Sequence, residues 1–139
     1  MLRQTATLSL LAMLLGGCSY SYEVLAVARD GQIAFIVDPK SSSSPSCIRR
    51  IEIYGESERA PVWRESVDYE DDCANEFPVA YGRKFKGRHQ HDWPTISARP
   101  LRPGVIYEVS TTTGATGYGG GRFVIKADGS VENLKPSRG

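Results

Sequence analysis

Two histidines set two residues apart, His89 and His91, are the first residues whose chemistry asks for an explanation. On an extended segment side chains two apart share a face, so both imidazoles could approach one zinc or copper ion, with Asp92 or a remote acid added. No other histidine is present, so the longer histidine motif of metallohydrolases is missing. The plain alternative is an exposed polar loop. Upstream, Arg83, Lys84, Lys86 and Arg88 form a basic run around Phe85. Such a run suits the phosphates and carboxylates of lipid headgroups or envelope polymers, or it pairs with acids of its own domain. Residues 114–121 are glycine-rich, but a strand-like stretch (RFVIK) follows where a phosphate-binding loop needs a helix, and no G-K-[ST] is present. They read as a flexible hairpin tip that presents Tyr118 to a partner. Ser41, Ser42, Ser43 and Ser44 occupy a low-complexity loop and not a nucleophile elbow, and the carboxylate spacing singles out no acid–base pair. Trp63 and Trp93 read as packing residues, with Trp93 the nearer to the surface. No catalytic residue and no cofactor is expected.

The N-terminus has the layout of a targeting segment. Arg3 supplies a short basic region, residues 8–15 are apolar but too short to span a bilayer, and Leu15-Gly16-Gly17-Cys18 follows. This tetrapeptide resembles a bacterial lipobox. The resemblance implies a signal peptide over residues 1–17, acylation of Cys18, and a lipoprotein of the cell envelope, of the small uncharacterised Gram-negative type, tethered to the outer membrane and facing the periplasm. Acyl anchoring is stable because each buried methylene adds about 0.8 kcal/mol. Loss of Arg3 with the signal leaves sixteen basic and sixteen acidic side chains, so residues 18–139 have no global pull towards nucleic acid. With Cys18 reserved for lipid, Cys47 and Cys73 form an even pair in an oxidising compartment and are expected as a disulfide. It would close a loop of roughly 27 residues, worth about 3.5 kcal/mol on the chain-entropy estimate.

The elements that must position these groups are all strands. Residues 22–28 and 32–37 flank Arg29-Asp30-Gly31 and predict a tight hairpin. A strand over 47–54 puts Cys47, Ile51 and Ile53 on one face and Arg50, Glu52 and Tyr54 on the other. A return strand over 62–69 carries Trp63, Val67 and Tyr69 at one parity and Arg64, Ser66 and Asp68 at the other, facing solvent. Short strands are expected near 77–81 and 95–98, then full strands over 105–112 and 122–126. Residues 101–109 (LRPGVIYEV) resemble the corner before the penultimate strand of fibronectin type III and related immunoglobulin-like domains. That resemblance implies that the Tyr107 ring packs in the core while its hydroxyl bonds to upstream backbone. The expected fold is one all-β, immunoglobulin/fibronectin type III-like β-sandwich of about seven strands over 18–139. The close spacing of Cys47 and Cys73 departs from the antibody pattern and suggests a bridge from the loop after Tyr69 to the start of the Cys47 strand. The function this suggests is a non-enzymatic binding or scaffolding module of the envelope. Its partners would be the membrane through its anchor and an envelope protein or glycan, met through residues 83–91, residues 114–121, or both. A small metal-binding protein or hydrolase using His89 and His91 is the alternative.

Overall fold

The computed structural model describes residues 19–70, 72–114 and 116–136, and there the chain is all-β, without a helix. Eight strands follow in order: β1 Tyr20–Arg29, β2 Gln32–Val37, β3 Arg50–Gly55, β4 Trp63–Ser66, β5 Val79–Ala80, β6 Ile106–Thr112, β7 Gly117–Ile125 and β8 Val131–Leu134. They hydrogen-bond in the order β4-β3-β6-β7-β1-β2-β5, with β8 added to β7. Strand β1 joins the two faces of this sandwich. Its first residues run parallel to the start of β7, from Tyr20↔Gly117 to Glu23↔Gly120, and from Val24 onward it pairs antiparallel with β2.

The β1–β2 hairpin turns through Asp30 and Gly31, both at positive φ (50° and 77°). Asp and Gly tolerate that region, and a two-residue turn of this hand matches the twist of the strands it joins. The close approach of β1 to β7 explains most of the glycine-rich run. A Cβ on Gly117 would overlap Tyr20 and Thr113, one on Gly119 would overlap Tyr22 and Thr111, and one on Gly121 would overlap the backbone carbonyl of Val24. The run is therefore not a flexible tip over its whole length: Gly117 to Gly121 lie within β7, and the turn is confined to residues before Gly117. Where β1 leaves β7, the Asn133 side chain of β8 takes over the missing ladder. It accepts from Ala26 N–H at 2.8 Å and donates to Ala26 C=O at 2.9 Å.

The core lies between the two faces, filled from alternate positions: Ile51, Ile53, Trp63, Tyr107, Val109 and Phe123 from one, Val24, Ala26, Phe35 and Val79 from the other. Aromatic rings cross it in a chain, from Tyr81 to Trp63 (5.1 Å between centroids), Phe35 (6.3 Å), Phe123 (5.7 Å) and Tyr107 (5.5 Å). Tyr107 behaves as its corner implies: the ring is buried, and its hydroxyl accepts from Arg102 N–H at 2.8 Å. Gly104 makes the turn between them at φ 82° and donates its N–H to Ile125 C=O at 2.9 Å. Cys47 and Cys73 are bridged, with Cα atoms 5.5 Å apart, which ties the loop after β4 to the approach to β3. The expected strand at 95–98 contributes a single bridge, Ile96 to Arg64, because residues 88–99 follow the edge of β4 with a turn at 91–92 that interrupts the pairing.

Two substitutions test this frame. Tyr107→Phe keeps the ring and removes only the hydroxyl acceptor, so unfolding free energy should fall by about 1–2 kcal/mol, read as a lower urea midpoint at unchanged slope. Gly121→Ala forces β1 away from β7 and should cost about 3 kcal/mol or more in the same measurement.

Candidate functional site

Alternation along the strands leaves one polar face on the outside of the β1-β7-β6-β3-β4 layer. On β3 it carries Arg50, Glu52 and Tyr54, and the register sets their neighbours. Ser66, Arg50, Thr112, Tyr118 and Ser21 form one row across the five strands, and Arg64, Glu52, Ser110, Gly120 and Glu23 form the next. Glu108 and Arg122 continue the face on β6 and β7.

At the β4 side this face is closed on itself. The Glu52 carboxylate is buried yet fully engaged: Arg64 donates to it from Nε (3.0 Å) and Nη2 (2.9 Å), the Tyr54 hydroxyl donates at 2.8 Å, and Arg50 Nε lies at 3.6 Å. Burial, and then the bond to Glu52, push the Tyr54 phenol above its ordinary value. Trp93 covers the group, its ring centroid 4.1 Å from the Arg50 guanidinium and 5.3 Å from that of Arg64. Guanidinium planes against an indole face are attractive electrostatically, so Trp93 fastens residues 88–96 onto the sheet. Trp63, in contrast, is wholly in the core.

At the β7 side the face is open. Tyr118 is 51% exposed and stands on a strand, not on a loop tip. Beside it runs a groove of about 460 Å³, floored by Gly119, Gly120 and Gly121 and walled by Tyr118, Arg122, Glu108, Glu23 and Pro136. Gly120 differs from its two neighbours. A Cβ there would meet only the Val109 carbonyl oxygen at 3.6 Å, an ordinary contact, so the groove and not the packing is what its missing side chain leaves open.

The basic run lies beside residues 74–78 and is partly absorbed by the fold. Arg83 donates to the carbonyls of Glu76 (3.1 Å) and Pro78 (3.3 Å), and Phe85 is buried. Asn75 brackets the Lys86 backbone at both its N–H and its C=O. Lys84, Lys86 and Arg88 are exposed, but Arg88 sits 3.8 Å from Asp68. Tyr118 lines the groove over Gly120 while Arg83, Lys84 and Lys86 line a separate dip beside Asn75 and Phe77, so the two do not form one site.

The extended geometry that would pair His89 with His91 is broken, because the chain turns at His91. His89 instead bridges Val67, with Nδ1 3.4 Å from the Thr95 hydroxyl and 3.9 Å from Glu65 Oε2. Among the described residues no three His, Cys, Asp or Glu side chains are grouped closely enough to hold a metal ion. Cys18, expected to carry lipid, lies outside the described residues.

Glu65 is a residue that the sequence analysis did not single out, although strand alternation was the signal that could have found it. It has the parity of Trp63 and Val67 and so points inward, where it is 2% exposed. Tyr69, expected at the same parity, lies beyond the end of β4 and is exposed. Burial pushes the Glu65 carboxyl above its ordinary value, against the lowering effects of the Phe85 N–H, His89 and Lys84. Its Oε2 has no hydrogen-bond donor.

Comparison with known proteins finds no family model, no curated sequence and no solved structure that matches this chain.

A carboxyl whose pKa is raised by folding binds its proton more tightly in the folded state, so it lowers stability as pH rises through that range. Glu65→Gln keeps an acceptor for the Phe85 N–H and removes the charge. The variant should be more stable than the parent at neutral pH, with the gain shrinking as pH falls through the raised range and gone once pH is below the ordinary glutamate range. Urea midpoints between about pH 3 and pH 8 at constant ionic strength, compared for the two proteins, check this: a gain independent of pH would mean no linkage, and one that grows as pH falls would be the wrong sign.

Proposed function

We propose that this protein is a non-enzymatic binding module of the bacterial cell envelope, held at the membrane through acyl chains on Cys18, with the β7 side of its outer sheet as the contact face. The observation that carries this reading is Tyr118 beside the groove over Gly120. A half-exposed aromatic ring on a strand whose register is locked on both sides offers contact area at little entropic cost. Such a surface suits recognition, whereas the ionic cluster at Glu52 is already satisfied and adds only rigidity. Lys84, Lys86 and Arg88 make a separate exposed surface in which Arg88 lies 3.8 Å from Asp68. Acylation two residues before Tyr20 would keep the domain close to the bilayer, since two residues span at most about 7 Å.

The test is a photo-reactive residue at position 118 in the lipidated protein in intact cells, followed by mass spectrometry. One reproducible crosslinked partner, lost when Gly120→Val fills the groove, is the expected result. Crosslinks scattered over abundant envelope proteins, unchanged by Gly120→Val, would overturn the reading. Incorporation of a clickable fatty acid that disappears in Cys18→Ala reports the anchor separately.

A further inference from the structure

At the end of the sandwich where β3 stops and β6 begins, Gly55 pairs with Tyr107, and a second cavity of about 250 Å³ lies beside them. It shares no residue with the groove over Gly120. Val62 and Tyr107 are buried and form its inner part, and Pro100 and Val105 add apolar surface. Glu58, Arg99 and Arg102 also line it, and all three are exposed. Apolar surface is therefore gathered inside and charge at the mouth.

The two arginines are fixed through their backbones while their guanidiniums are lightly engaged. Arg99 N–H donates to Val62 C=O at 3.1 Å, and Arg102 N–H donates to the Tyr107 hydroxyl at 2.8 Å. The Arg99 guanidinium donates to Glu58 at 3.1 Å, but both side chains are largely exposed (59% and 46%), and a surface pair of this kind adds little. The Arg102 guanidinium makes no hydrogen bond, ion pair or ring contact among the described residues. The Tyr107 hydroxyl accepts from Arg102, yet its own hydrogen has no acceptor among the described residues, although Tyr107 is only 3% exposed. A buried hydroxyl ordinarily uses its donor, so this hydrogen is left for something that enters the cavity.

We propose that this cavity binds a small carboxylate with a compact apolar body. The body goes in against Val62, Val105 and the Tyr107 ring, and the carboxylate remains at the mouth, where the Arg102 fork matches its two oxygens. Glu58 is the competitor: it holds Arg99 until the carboxylate of the ligand takes its place. The unused Tyr107 hydrogen is available to an oxygen of the ligand. A cationic ligand meets two guanidiniums against one carboxylate, and a bare anion leaves the apolar interior unfilled. Ligand cavities usually measure about 300–1,000 Å³, so this smaller one takes a short branched chain or a single ring.

The experiment uses the full-length protein in zwitterionic detergent micelles, with the amides of residues 58–62 and 99–107 followed by nuclear magnetic resonance. The probes are 4-methylpentanoate, its neutral amide 4-methylpentanamide, and acetate. The first should give saturable shifts confined to those two segments. The amide, which lacks the charge, and acetate, which lacks the body, should each bind at least tenfold more weakly. Arg102→Gln should cost at least tenfold in affinity for 4-methylpentanoate. Glu58→Gln frees Arg99 and should tighten binding several-fold, a gain that damage to the fold would not produce. Both substitutions are of exposed side chains, and the second keeps the proposal open to refutation even if the first protein were destabilised. Absent shifts, shifts spread evenly over the strands, equal binding of the amide or of acetate, unchanged binding by Arg102→Gln, or weaker binding by Glu58→Gln overturns the proposal. Capture of a partner at position 118 is a separate result at a separate site.

Discussion

Strand β1 has to serve two sheets, and most of the peculiarities of this molecule follow from that demand. A strand that pairs parallel with β7 and then antiparallel with β2 must swing away from its first partner part-way along. The swing brings its backbone and tyrosines against the inner face of β7, where there is room only for glycine at positions 117, 119 and 121. It also strips β1 of its ladder after Val24, and a backbone left unpaired in a half-buried position is costly. Asn133 meets that need by presenting an amide that imitates a neighbouring strand. The tyrosines displaced inward are satisfied in turn: Tyr22 bonds the Thr111 hydroxyl at 2.7 Å and Tyr20 that of Thr113 at 2.9 Å. Burial pushes the Tyr22 phenol up to about 12, so it stays neutral throughout the physiological range.

Two buried glutamates show how differently one residue type can be accommodated. Glu52 and Glu65 lie on neighbouring strands, one on the outer face and one on the inner. Glu52 is surrounded by two guanidiniums and a phenol, so the low polarity of its site strengthens its bonds and leaves little unsatisfied. Glu65 faces the core end with one oxygen lacking a donor and a half-exposed imidazole nearby. The first arrangement rigidifies β3, β4 and the segment that Trp93 pins across them. The second leaves a local weakness under residues 85–89, the same segment that protects the edge of β4 from pairing with other chains.

The open half of the outer face is a consequence of the same constraint. Because β7 is glycine-rich for reasons of packing on its inner side, its outer side is low as well, and Tyr118 and Arg122 stand on either side of a shallow floor. The charges around that floor come from three strands far apart in sequence, so their grouping belongs to the register and not to any local motif. The half-exposed Tyr118 ring beside this shallow floor is the observation on which the proposed binding role rests.

What the sequence alone determined is what depends on neighbours in the chain. Period-two alternation identified the strands over 22–28, 32–37, 47–54 and 105–112, Asp30-Gly31 identified the hairpin turn, and the Pro103-Gly104 corner with Tyr107 identified a hydroxyl that bonds to upstream backbone. The even pair Cys47 and Cys73 identified the bridge. The strands and turns rest on short-range sterics and the bridge on counting, whereas the role of the Tyr107 hydroxyl is what the resemblance of its corner to fibronectin-type domains implied. Tertiary structure alone decided the meaning of the glycines and the charges. Whether residues 114–121 form a tip or a strand depends on how closely β1 passes, and that is set by pairing across nearly a hundred residues. Whether an acid is exposed, paired or buried depends on which face the register gives it, so Glu23, Glu52 and Glu65 look alike in composition and part company only in the fold. His89 and His91, two residues apart in sequence, are separated in role for the same reason: the edge of β4 takes one and the turn takes the other.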